Sequence, residues 1–361
     1  MQRVTILSID GGGIRGILPA TVLAEIERRT GQPIYRLFDL IAGTSTGGLI
    51  ALGLTRPKVP GSREAQFTAR QLIELYTKHG PDIFARSFWQ KLTNPWGLLG
   101  PKYDGRELER VLEDYFEDYR LHDALTNVLV TAYDTAGEAS PAPAFFKSWR
   151  GLRQDAAFKP PVRNEWDYRM REAARATAAA PTYFPPYRLE DLRSGARAMS
   201  LLDGGVFAAN PGMCALAEAH RLFENAEPYV VSLGTGDTTK RIRWEESKGW
   251  GVARWAQPVL DVIFDGVSDT VEYELDHFLG TVHPGSHHRI QTRLPPSVDP
   301  GMDIASAENL EALLALARRV VADHSVELDQ ICSDLSQRGS PPQPRPGVQL
   351  ASPPVLLSGT G

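Results

Sequence analysis

The chain has 361 residues; 42% are hydrophobic, 23% are charged, and 39 Lys+Arg against 44 Asp+Glu leave a net charge of −5. That balance excludes disorder over the bulk of the chain, and it excludes a general nucleic-acid binder, which gains affinity by displacing counterions with a basic face. The two cysteines, Cys214 and Cys332, exclude a disulfide scaffold and fit a reducing cytoplasm.

Residues 4–9 read as a short buried strand that ends at Asp10, not as the apolar core of a secretory signal. Residues 14–29 follow as a helix, with Leu18, Val22 and Ile26 at helical spacing, Pro19 early enough to be tolerated, and Gly31 as its stop. A second buried strand over 38–42 runs through a glycine-flanked turn into a helix to about Leu54, which Arg56-Pro57 ends. The window 40–54 is the most apolar, yet Gly43, Gly47, Gly48 and Gly53 and three hydroxyl residues interrupt it. It falls short of the run of about 20 apolar residues that spans a bilayer, so any membrane contact is expected to be peripheral. Residues 71–78 and 104–119 read as amphipathic helices, with Asp104 as N-cap of the second. The runs 128–133, 199–202 and 229–233 are β-rich, and a helix over 168–180 is stopped by Pro181. Strands that alternate with helices imply an α/β fold, with a mostly parallel central sheet and helices on its faces. Residues 305–335 read as helical throughout, and the proline-rich segment 339–361 as an unfolded tail.

Three glycine-centred turns carry the chemistry. The first, Asp10-Gly11-Gly12-Gly13-Ile14-Arg15-Gly16, lies between a strand and a helix. Consecutive glycines let backbone N–H groups approach a ligand, and the helix start adds a positive dipole end, so the loop suits a phosphate or the oxyanion of an acyl-transfer intermediate. Gly11, Gly13 and Gly16 also satisfy G-x-G-x-x-G, but residues 30–34 lack the second strand and acidic residue that a dinucleotide site requires. The second turn, Gly43-Thr44-Ser45-Thr46-Gly47-Gly48, has the G-x-S-x-G form of a nucleophile elbow between strand and helix. The third, Asp203-Gly204-Gly205, puts a carboxylate at the end of an apolar strand, where desolvation raises its pKa and makes it a better base near neutrality.

The set D-G-G-G-x-R-G, G-x-S-x-G and D-G-G, in that order, resembles the patatin-like phospholipase family. The resemblance also takes in the small-residue stretch from Ala174 to Pro181, Asn210-Pro211, and Ser232-Leu233-Gly234-Thr235-Gly236. It implies a three-layer α/β/α fold and a Ser–Asp dyad, with Ser45 as nucleophile and Asp203 as its base. In that reading the N–H groups of Gly11, Gly12 and Gly13 stabilise the oxyanion, and Arg15 steadies the loop or a lipid phosphate. It divides the chain into a catalytic domain over 1–300 (motif core 4–236), a helical extension over 301–338 and the tail over 339–361. No motif counterpart extends past Gly236. The substrate implied is a phospholipid or another acyl ester, with no metal and no cofactor required. Bacterial members of the family include phospholipases switched on by cyclic nucleotides in antiphage defence, which makes a cyclic nucleotide an activator to test.

Three rivals remain at this stage. A Ser-His-Asp triad has eight histidines to draw on, but His220 reads as a helix-surface residue and His283, His287 and His288 as a solvated loop. An acyltransferase would use the same acyl-enzyme. A nucleotide-binding module would use the glycine loops without acyl chemistry. Two aromatic stretches bear on membrane access: Phe84, Phe88, Trp89, Trp96 and Tyr103, then Trp244, Trp250 and Trp255 among Lys240, Arg241, Arg243, Lys248 and Arg254. Rings with nearby cations suit a lipid headgroup interface. The alternative is that these rings fill the core or a subunit contact in a homo-oligomer, and Glu245 and Glu246 offset the positive charge.

Overall fold

The computed structural model describes residues 2–85, 100–137, 140–149, 167–190, 198–238, 242–256, 258–339 and 341–345. Its centre is a sheet of β1 (Gln2–Ile9), β2 (Leu40–Thr44), β3 (Asn127–Asp134), β4 (Ala142–Lys147), β5 (Tyr187–Glu190), β6 (Ala198–Asp203), β7 (Ala226–Leu233) and β8 (His287–Ile290). The strand order is β5-β6-β3-β2-β1-β7-β8, with β4 paired to β3 outside that path. Around it lie the helices α1 (Ile17–Thr30), α2 (Thr46–Thr55), α3 (Ala69–Thr77), α4 (Arg106–Phe116), α5 (Met170–Thr177), α6 (Gly212–Leu222), α7 (Pro258–Val282), α8 (Ala307–Asp323) and α9 (Ser325–Ser336).

Side-chain alternation along the buried strands builds two cores, because successive residues of a strand face opposite sides of the sheet. Leu7, Ile41, Val128, Val130 and Val231 join one core with residues of α1, α2, α8 and α9. Ile6, Leu40, Leu129 and Val230 join the other with Leu216 and Leu222 of α6 and Leu275 and Leu279 of α7. The result is the three-layer arrangement. Residues of α8 and α9, beyond residue 301, belong to the first core.

Parallel pairing holds from β3 through β2, β1 and β7 to β8. On the other side of β3 the pairings with β4 and β6, and of β6 with β5, are antiparallel. The crossover through α5 does return the chain parallel to β3, but in β5, which the sequence did not announce. β6 is then the second arm, slotted between β5 and β3, so it runs the other way and ends with Asp203 opposite Ala132 of β3, next to Thr131, which pairs with Thr44 at the end of β2.

Four local expectations change. The N-cap of α4 is Gly105, in the left-handed region at φ 84°, while the Asp104 carboxylate accepts a hydrogen bond from Arg106 N at 3.1 Å. The 305–335 stretch is two helices, parted at His324. His287 and His288 stand on β8 and not in a solvated loop; His287 Nδ1 lies 2.7 Å from Asp276 of α7. The start of the tail is tied down: Pro344 bridges Phe223, Arg345 N donates to Leu222 O at 2.8 Å, and Gln343 N donates to Gln2. Residues 346–361 lie outside the described set.

Candidate active site

Ser45 sits at the junction of β2 and α2 with φ 54° and ψ −123°, a region that non-glycine residues avoid and that costs about 1–3 kcal/mol to hold. Its neighbours permit that turn. A Cβ at Gly43 would lie 2.2 Å from Gly47 O, and one at Gly47 would lie 2.1 Å from Ile9 O. Ser45 N–H donates to Thr177 Oγ1 of α5 at 2.7 Å, and Ser45 O accepts from Leu49 N in the first turn of α2. The strained backbone is thus satisfied on both sides.

Asp203 ends β6 fully buried. Its Oδ1 accepts from Gly205 N at 2.8 Å, whereas Oδ2 has no hydrogen-bond partner among the described residues. Burial pushes the carboxyl up to about 7, while the Ser45 hydroxyl and the Gly205 N–H pull the other way. A hydroxyl pair locks the turns that carry Ser45 and Asp203 to the sheet. Thr44 Oγ1 donates to Ala208 O at 2.6 Å, so Thr131 is the donor in its own 2.6 Å contact with Thr44. That ties the serine turn, β3 and the short helical turn Gly205–Ala208 after Asp203 into one block.

The first glycine loop is held as tightly. Arg15, buried, donates from Nε to Gly12 O at 3.3 Å and from Nη1 to Gly236 O at 3.0 Å. Asp265 and Asp261 on α7 favour its charge against the cost of burial. It steadies the loop, and being buried it is not placed to meet a lipid phosphate. Gly11 requires a correction. Its N–H donates to Ala209 O at 2.9 Å, so it is committed and cannot serve an oxyanion. Its contribution is space: a Cβ there would press against Ser45 Cβ at 3.3 Å. Gly12 and Gly13 keep N–H groups with no intramolecular acceptor among the described residues. Gly13 has φ 59°, and a Cβ on it would lie 2.1 Å from Met302 O.

A narrow cavity of about 70 Å³ opens from this centre, its wall shared by Ser45, Gly13, Leu49, Leu75, Ile83, Phe184 and Phe264. No histidine lines it, and none hydrogen-bonds Ser45 or Asp203 among the described residues. His220 is an exposed residue of α6. Of the first aromatic stretch, Phe84 and Tyr103 pack edge to face at 5.6 Å beside Phe184, as core, and Tyr103 OH donates to Asp303 at 2.5 Å. Phe88, Trp89, Trp96, Lys240 and Arg241 lie outside the described residues. Trp244 is exposed, and Trp250 and Trp255 pack on each other at 5.1 Å.

Two supporting residues escaped the sequence. Thr177 lies inside the small-residue helix, where nothing local marks it as the acceptor for Ser45 N–H. Arg289 of β8 reaches the other end of the loop: its Nη2 donates to Asp10 Oδ2 at 2.7 Å and its Nη1 to Ser232 Oγ at 2.9 Å, while its Nε pairs with Glu272 of α7.

A family model matches the part of the chain that holds all three turns. The model described as Patatin-like phospholipase covers residues 7–215, a span that holds Asp10–Gly16, Ser45 and Asp203. The chain belongs to the patatin-like phospholipase family. Among its relatives, Patatin-like protein 2 of Arabidopsis thaliana is 32% identical over 369 residues, covering 92% of this chain and 86% of that one. Patatin group D-2 of Solanum tuberosum is 32% identical over 350 residues, covering 89% and 84%. This coverage exceeds the motif core 4–236, so the part of this patatin-like chain past Gly236 has family counterparts that the motifs did not reveal. Among solved structures, human GIVD cytosolic phospholipase A2 is similar with a TM-score of 0.46 at 11% identity, covering 93% of this chain and 61% of that one. Family membership makes the chain a lipid acyl hydrolase. No helix among the described residues is long and apolar enough to cross a membrane.

Proposed function

We propose that this chain hydrolyses acyl esters of phospholipids through a Ser45–Asp203 dyad. The observation that carries the reading is the pairing of a serine at a strained positive φ, on the wall of an apolar cavity, with a buried, elevated carboxyl that its hydroxyl affects. Ser45 Oγ attacks the ester carbonyl while its proton passes to Asp203. The N–H groups of Gly12 and Gly13 receive the oxyanion, and the alcohol or lysolipid leaves with the proton from Asp203. Water then attacks the acyl-enzyme, giving a proton to Asp203, and collapse returns that proton to Ser45 Oγ and releases the fatty acid.

The acyl chain is assigned to the apolar cavity. At about 70 Å³ the cavity is narrow, so a long chain has to displace lining side chains as it enters. Substrate is reached by transient peripheral contact with a membrane. The two free thiols, Cys214 and Cys332, support a reducing compartment, the cytoplasm.

A fluorophosphonate probe tests the dyad. The wild-type protein is expected to be labelled on Ser45, located by peptide mass, with slower labelling of Asp203→Asn and none of Ser45→Ala. An unlabelled wild type would favour the nucleotide-binding reading and reject this one. An acyltransferase would label equally, and is distinguished by acyl esters appearing when an alcohol is supplied. Activation by a cyclic nucleotide is a separate proposal. Adding cyclic dinucleotides to the hydrolysis assay tests it; an unchanged rate across the set rejects it.

A further inference from the structure

We infer that the N-terminal half of α7, with the turn before it, is the face that docks on a phospholipid bilayer; this rests on the lipid hydrolase reading above. Over residues 258–268 the exposed positions are Val259, Val262, Ile263 and Gly266. Their spacing puts them on one side of the helix. The acids of this stretch, Asp261 and Asp265, are half-buried and turned to Arg15 and Thr238. The outer face is therefore apolar from Val259 to Gly266, with charge returning at the exposed Asp269; Val262 is 53% exposed and Val252, in the preceding turn Val252–Trp255, 89% exposed. Unpartnered apolar residues in such number mark a surface that something covers.

Two features commit that occupant to a bilayer. The first is the segment that leads into the helix. Lys248 Nζ sits 4.7 Å over the ring of Trp244, which is 69% exposed, and the Arg254 guanidinium sits 5.0 Å over Trp250. Cations stacked on amphipathic rings match the headgroup level, where phosphates meet the acyl boundary. Glu245 and Glu246 are exposed beside Trp244, so the charge is balanced and suits a zwitterionic surface more than a strongly anionic one. The second feature is continuity with the cavity. Phe264, on the inner side of the same turns, lines the cavity of Ser45 and packs where a Cβ on Gly205 would stand, two residues past Asp203. The same turns of one helix thus carry the docking face on their outer side and a wall of the acyl cavity on their inner side.

The test is sedimentation with phosphatidylcholine vesicles, run on Ser45→Ala protein so that binding is read without hydrolysis. Adding Val262→Asp and Ile263→Asp is expected to cut the vesicle-bound fraction at least about tenfold. The same pair placed in the active protein should leave hydrolysis of a short, soluble ester unchanged. Val262→Trp should tighten vesicle binding, and it decides the matter if the aspartate pair damages the fold. Vesicle binding indifferent to all three changes overturns the inference. So does a dimer, seen by light scattering, that the aspartate pair dissociates, because a second copy would then cover this face. Vesicle binding without any ester hydrolysis would sink the hydrolase reading and leave the docking face standing.

Discussion

Thr177 Oγ1 accepts the backbone N–H of Ser45 at 2.7 Å, across 132 residues of sequence. That one bond satisfies the amide of a residue whose φ is forced positive, and it ties the proposed nucleophile to the helix α5. Thr177→Val keeps the shape and removes the acceptor, leaving a buried N–H unpaired at a cost of about 1–3 kcal/mol. The expected outcome is a lower melting temperature and a fall in kcat of roughly 10²-fold from misplacement of the hydroxyl, with KM little changed. Thr177→Ser, which restores the oxygen, should recover most of the rate; steady-state kinetics on all three proteins check it.

The strain at Ser45 is measurable on its own. Alanine keeps the Cβ that φ 54° opposes, whereas glycine does not. Ser45→Gly should therefore be more stable than Ser45→Ala by about 1 kcal/mol, although both lack the nucleophile. Denaturant titration of the two variants is sufficient. Equal stabilities would mean the turn is relaxed.

Asp203 links activity and stability to pH with opposite signs. In its proposed role as base it must be ionised, so kcat/KM is expected to rise as pH increases and to level off above about 7. Its folded pKa is raised above the unfolded value, so the folded state holds a proton that the unfolded chain gives up first. The resulting stability is fully present below about 4, is lost as pH rises, and is gone above about 7. Asp203→Asn, which cannot ionise, should show a melting temperature that gains on the wild type across that window and stays ahead above it.

Two glycines with the same backbone sign separate strain from collision. Gly31, the C-cap of α1 at φ 65°, has nothing within 4 Å of an added Cβ, while Gly13 at φ 59° would meet Met302 O at 2.1 Å. Gly31→Ala should cost about 1 kcal/mol and leave the rate intact. Gly13→Ala should cost about 3 kcal/mol or more and abolish turnover, since the loop that offers its N–H has to move. Melting curves with activity at one substrate concentration distinguish them.

What was legible in the sequence was local chemistry. Ser45, Asp203, Gly12 and Gly13 sit in turns whose glycines are needed by the turns themselves, so the residues announce the geometry. The roles of Thr177 and Arg289 are set by distant packing and carry no local signal. β8 was missed for a related reason: His287, His288 and Arg289 look like loop residues, and they are drawn onto the sheet because Asp276, Glu327, Asp10 and Glu272 meet their polar groups. Gly11 shows the limit of reading a glycine run as a row of equal donors. Only the fold decides that its N–H goes to Ala209.

The central claim is that Ser45, activated by Asp203, forms an acyl-enzyme from membrane lipid. Release of free fatty acid from phosphatidylcholine vesicles, followed by mass, tests it most directly. Wild-type protein should release fatty acid steadily, with the rate lowered on the order of 10⁴-fold in both Ser45→Ala and Asp203→Asn. Release by either variant at the wild-type rate would contradict the account.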